Sequence, residues 1–194
     1  MSQWANVYRA SIFATSSLAG ELDRNAGRTV PATPSWTVQN LIAHLAGAPA
    51  DALVGRMDGA PGPAWTAQHV SERSGLGIGA LLHEIEGNID AVAASFAGND
   101  RPALVWDAVV HHADLTEALG HPRPSASSWT PVLEAVRSRL DEYGEAFASV
   151  DDYELFRGVF SRRSRRQMAA WATGLGQEEL DRIPIFGARD DDQP

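Results

Sequence analysis

Two histidines and an aspartate are the residues of this chain whose types and spacing could build a reactive centre. Asp107 and His111 stand four residues apart, a separation that places both side chains on one helix face, a single turn apart, where they can converge on one ion. His44 lies in an earlier segment whose apolar residues Val38, Leu41, Ile42 and Leu45 also recur at helical intervals. Two imidazoles and one carboxylate make an open set. A divalent cation held by them, zinc before others, keeps a coordination position for water or substrate, which is the arrangement of catalytic zinc. Asp114, three residues beyond His111, extends the polar row and can orient an imidazole as a hydrogen-bond acceptor. Spacing alone leaves two readings open, the ion site and a helical ion pair beside a core histidine, because Asp-x-x-x-His is a short pattern. His112 points away from the row and is expected to pack or be solvated. His69, His83 and His121 fall in expected loops or on a polar face and receive no role.

Composition narrows the chemistry. The 194 residues include no cysteine, so the protein supplies no thiolate ligand and no thiol redox chemistry, and any thiol that takes part comes from outside. All 16 basic residues are arginine, which excludes a lysine Schiff base. A net charge of -9 and a pI near 5.0 would repel a polyanion, so nucleic acid is not an expected partner. The segment Met1 to Ala10 lacks the basic-then-apolar layout of a secretory leader, and no long apolar run occurs. No membrane partner is expected, and the expected compartment is the cytoplasm, with the chain a monomer or homodimer.

The elements that must position the triad read as an all-α fold. A first helix is expected from Trp4 to about Leu22. A second, capped by Ser35, carries His44 and kinks at Pro49, with Ala52, Leu53 and Met57 continuing its apolar face. Residues Gly59 to Gly75, with Pro61-Gly62-Pro63, read as a long loop. Ile78, Leu81, Leu82, Ile85, Ile89, Val92 and Phe96 mark a third helix from about Leu76 to Ala97. Asp100 is expected to cap a fourth, with Pro102 in its first turn. A fifth runs through Val132, Val136, Leu140 and Phe147, and a sixth from Tyr153 to about Thr173 carries Arg157, Arg162, Arg163, Arg165 and Arg166. The tail from Arg182 is expected to be loose. Residues 1–150 are thus expected to form a metal-binding helical bundle, and 151–194 an Arg-rich helix and tail packed on the same domain.

Three stretches also carry a family likeness. Trp36-Thr37-Val38-Gln39-Asn40-Leu41-Ile42-Ala43-His44-Leu45, preceded by Val30-Pro31, resembles the N-terminal signature of the mycothiol-dependent maleylpyruvate isomerase family, within the DinB-like superfamily. Val105 to Leu115 resembles its second signature, a carboxylate four residues before a His and an Asp three after. Glu154-Leu155-Phe156-Arg157 and Ser161 to Gln167 resemble a third block. The chain departs from the pattern with Asp107 where Glu is common, Pro49 inside the second helix, and Ser161 in place of a usual Gly.

The resemblance implies a DinB-like up-down four-helix bundle with additional C-terminal helices, and a metal, usually zinc, at His44, Asp107 and His111. It further implies mycothiol as thiol cosubstrate and a small electrophile as the second partner, in an S-transferase or isomerase-like reaction. One or two arginines, Arg163 or Arg166, would then bind carboxylates of the thiol or substrate, against the plainer view that the cluster is a solvated helix face. Two other functions fit the same triad. One is a non-haem Fe(II) oxygenase, and the other a metal-stabilised binding or regulatory module without turnover, with the Arg helix as its partner surface.

Overall fold

Apolar periodicity decides which helix faces turn inward. In the computed structural model, which describes residues 2–99 and 102–190, α1 (Gln3–Ser16) buries Ala5, Tyr8, Ile12 and Thr15, and the Ser2 hydroxyl caps it by accepting from the Ala5 amide at 3.2 Å. A short break precedes α2 (Ala19–Arg24), so the expected first helix is two. An antiparallel pair follows, β1 (Thr29–Val30) and β2 (Thr33–Thr37), too short to leave an alternating pattern. Because Ser35 and Trp36 belong to this strand, the next cap is Thr37 rather than Ser35. Its hydroxyl accepts from the Asn40 amide at 3.2 Å.

The helix so capped, α3 (Val38–Val54), runs through Pro49 and ends at Gly55, whose φ of 76° is the left-handed conformation glycine adopts without a Cβ clash. Beyond Pro49 the inward position is Asp51, whereas Leu53 and Met57 are exposed. The apolar face expected there is therefore the wrong one. The expected loop 59–75 also contains a helix, α4 (Pro63–Glu72), which buries Trp65 and His69 against α3. Flanking Pro and Gly disguised it in the sequence, and its stability comes from packing rather than propensity.

α5 (Ile78–Ala94) buries the residues its period indicates. α6 (Ala103–Leu119) starts after Pro102, and the expected cap Asp100 lies outside the described residues. α1 packs against α5 and α6, and α3 packs against the same two, closing a four-helix ring. Ser11 donates to the Ala108 carbonyl at 3.0 Å, and Thr15 meets His112 at 3.0 Å one turn later on both helices. α1 and α6 therefore run in the same direction. In a strictly alternating order the first and fourth helices would oppose each other, so the expected simple up-down order is corrected.

α7 (Ala126–Val136) leads into 3-10 turns over 137–147 that are interrupted at Gly144, where φ is 52° and ψ is -127°. The expected sixth helix is broken into α8 (Asp152–Val159) and α9 (Arg165–Ala169), followed by α10 (Gln177–Leu180). The break sits at Ser161, whose φ of 62° explains why glycine suits this position. Its hydroxyl accepts from the Phe186 amide at 3.0 Å. The tail is not loose up to Asp190: Ile183 is buried, the Ile185 amide donates to Val159 at 2.8 Å, and Arg189 donates to the Pro31 and Ala32 carbonyls at 3.3 and 3.0 Å. One apolar cluster joins Val105 and Leu115 to Phe156, Phe160 and Ile183. Among the described residues, no helix is long and apolar enough to cross a membrane.

Candidate metal centre

α3 brings His44, and α6 brings Asp107 and His111, to one point. His44 Nε2 lies 3.3 Å from Asp107 Oδ2, and His111 Nε2 lies 3.3 Å from Asp107 Oδ1. One donor atom from each of the three residues falls within 4.8 Å of the others, a group that could hold a metal ion. Two atoms bound to the same tetrahedral ion at about 2.0 Å are about 3.3 Å apart, so the spacing suits shared coordination. Charge-assisted N-H to carboxylate bonds are shorter, at about 2.7–2.9 Å. Both imidazoles are buried, and the Asp107 side chain is 28% exposed, so the approach from solvent lies on the carboxylate side. Trp36, projected by β2, covers both rings with centroids 5.0 Å from His44 and 5.8 Å from His111.

Each imidazole has its other nitrogen engaged. His111 Nδ1 is 2.8 Å from Asp114 Oδ2, so it donates there, and in the neutral ring that an ion would select Nε2 is left free of hydrogen. Asp114 is wholly buried and also accepts from Arg157 Nη2 at 2.6 Å and Arg162 Nε at 3.1 Å. His44 Nδ1 lies 3.0 Å from Nδ1 of His69, whose Nε2 lies 3.1 Å from Asp51 Oδ2. Arg56 donates to Asp51 Oδ1 through Nε at 2.7 Å and Nη2 at 2.5 Å.

The electrostatics follow from burial and charge. Desolvation opposes ionisation of Asp107, but the pull of His44 and His111 outweighs it and holds the carboxyl well below the usual carboxylate range. A cation at the same point would replace the imidazole protons that exert this pull. Desolvation likewise opposes charging of His111, and Asp107 and Asp114 outweigh it, raising its pKa. Asp114 is kept ionised against desolvation by Arg162 and Arg157. His69 moves the other way, because burial outweighs Asp51 and lowers its pKa. Burial alone depresses His112 to about 4.

The Arg cluster lies mostly inside the protein. Arg157 is fully buried on Asp114 and Glu117, and Arg162 is buried on Asp114. Arg163 is buried too, pairing with Glu154 at 2.5 Å and Glu117 at 3.1 Å, which commits the guanidinium expected to bind a ligand. Arg166 sits exposed on α9. Sequence reasoning missed His69 and Asp51 altogether. The readable signal was Gly47, between His44 and Asp51 on one face of α3, a notch in an otherwise filled stripe. Missed as well was Tyr8, whose buried hydroxyl has no hydrogen-bond partner and whose pKa is raised by burial and by the charge of Asp107. No protein-family model, curated protein or solved structure matches the chain.

Proposed function

We propose that the chain is a metal-dependent, thiol-dependent S-transferase or isomerase-like enzyme, working in the cytoplasm on a small electrophile. By resemblance the thiol is mycothiol, and the family is the mycothiol-dependent maleylpyruvate isomerase-like group with its DinB-like bundle. The carrying observation is the convergence of His44, Asp107 and His111 at shared-ion spacing with one side open. A divalent cation there, zinc before others, would lower the pKa of a thiol at its vacant position, so that the nucleophilic thiolate is present at neutral pH.

The chain's own residues do the rest. One carboxylate and two neutral imidazoles leave a dication with a single net positive charge, which suits a monoanionic sulfur. Trp36 and Trp65 wall the histidines away from water, with Trp65 at 6.1 Å from the His44 ring centroid. That low-dielectric wall strengthens the attraction between site and anion. Asp107, the most exposed of the three at 28%, leaves room for exchange of ligands at its edge.

The regulatory-module alternative is weakened because Arg157, Arg162 and Arg163, its expected partner surface, are buried in ion pairs. Metal analysis of the purified protein, followed by an assay for thiol-dependent loss of an electrophile in wild type and His44→Ala, tests the proposal. Metal-dependent turnover that His44→Ala abolishes is expected. Metal without such turnover would favour the module, and oxygen consumption with ferrous iron would favour the oxygenase.

A further inference from the structure

His44 and Asp51 lie on one face of α3, two turns apart, with Gly47 between them. Any Cβ at Gly47 would overlap the His69 ring, so the missing side chain is the notch that lets α4 seat His69 between the two. Trp65 packs edge-on against that ring at 4.2 Å between centroids. His69 and Asp51 have no solvent exposure. A polar pair placed this deep is held by its hydrogen bonds, and the direction of each bond can be deduced.

The two facing Nδ1 atoms of His44 and His69, 3.0 Å apart, can share only one hydrogen. At the other side of His69, Nε2 is 3.1 Å from Asp51 Oδ2, and an ionised carboxylate only accepts. Nε2 of His69 therefore carries hydrogen. In the neutral ring its Nδ1 is then a lone pair, so the shared hydrogen belongs to His44 Nδ1. In the neutral His44 ring that leaves Nε2 as a lone pair, aimed at the point where Asp107 and His111 converge. Asp51 cannot turn to spoil the order, because its Oδ1 accepts from both Arg56 Nε and Nη2.

We propose that His69 and Asp51 are positioning residues that set the tautomer of His44, through a directed relay in which His44 donates to His69 and His69 donates to Asp51. The relay presents Nε2 to a divalent cation, and it rests on the metal-binding reading given above. It mirrors on α3 what Asp114 does directly for His111 on α6, with one neutral imidazole interposed. A pairing that only filled space would be indifferent to the direction of its hydrogen bonds.

Asp51→Asn tests that direction without changing volume. The two Arg56 donors hold the new carboxamide by its oxygen, which turns the amide N-H toward His69 Nε2 and reverses every donor in the chain. His44 Nε2 then carries hydrogen and cannot ligate. Zinc affinity, measured by competition with a chromophoric chelator, is expected to fall about 10–100-fold. Adding Arg56→Leu frees the carboxamide to turn over and is expected to recover most of the loss. Nitrogen-15 imidazole spectra of the metal-free wild type need no substitution and are expected to show neutral His69 protonated at Nε2.

Wild-type zinc affinity in Asp51→Asn overturns the proposal. So does a double variant as weak as the single one, or His69 protonated at Nδ1. If wild type binds no zinc, the metal reading fails, and the nitrogen spectrum still decides the relay. If Asp51→Asn does not fold, the same spectrum decides.

Discussion

Asp114→Asn isolates the charge at the centre of the polar layer between α6 and α8. The carboxylate is fully buried and accepts from Arg157 at 2.6 Å, Arg162 at 3.1 Å and His111 at 2.8 Å. Asparagine keeps the volume, so no cavity contributes. Removing one partner of a buried ion pair costs about 3–5 kcal/mol. Arg157 retains Glu117 at 2.8 Å, which places the expected loss at the lower end, about 3 kcal/mol. For a chain of this size, about 2–4 °C per kcal/mol converts that to a Tm lower by about 6–12 °C. Circular dichroism melts and urea titrations of the protein kept metal-free with chelator measure it. A loss under about 1 kcal/mol would refute the reasoning, since it would mean that water or a shifted Arg162 already neutralises the layer. Asp90→Asn, which breaks the exposed Arg9 pair, serves as the control and should change little.

Other outcomes follow from the same geometry. Asp107→Ala is expected to lower bound zinc more than Asp114→Ala, measured per folded chain by elemental analysis, and equal occupancy would count against Asp107 as a ligand. His112 is depressed to about 4 by burial, against about 6.5 unfolded. Its contribution is therefore complete above pH 6.5 and lost as pH falls toward 4, by up to about 3 kcal/mol. Urea midpoints of the metal-free protein between pH 7 and 4.5 should drop, and His112→Gln should flatten the profile; an unchanged slope would show that another group carries it. Gly47→Ala pushes a methyl group into the His69 ring and should cost about 1–3 kcal/mol, with weaker zinc binding. Wild-type melting in that variant would mean that His69 does not rest on Gly47.

Repeating apolar residues exposed the long helices. Ile78 to Val92 reads as α5 from its period alone, and the four-residue step from Asp107 to His111 already aligns two ligands, because both facts are local to one helix. The elements that escaped are those whose stability is not local. α4 has weak helical signals between prolines and glycines, and it forms because His69 finds a notch in α3 and Trp65 packs beside it. The Arg-rich segment looked like one helix, yet it breaks at Ser161 so that Arg157, Arg162 and Arg163 can reach carboxylates on α6 and α8. Parallel packing of α1 on α6 was equally hidden, since periodicity carries no information about direction.

The sequence by itself determined a helical chain without thiols, with two aligned donors and a distant histidine able to join them. Tertiary structure decided that His44 does join them, which nitrogen it presents, and that Arg157, Arg162 and Arg163 serve the protein's interior. The reason is physical: side chains one turn apart are neighbours by backbone geometry, whereas a hydrogen bond's direction and a buried charge's partner exist only after separate helices have packed.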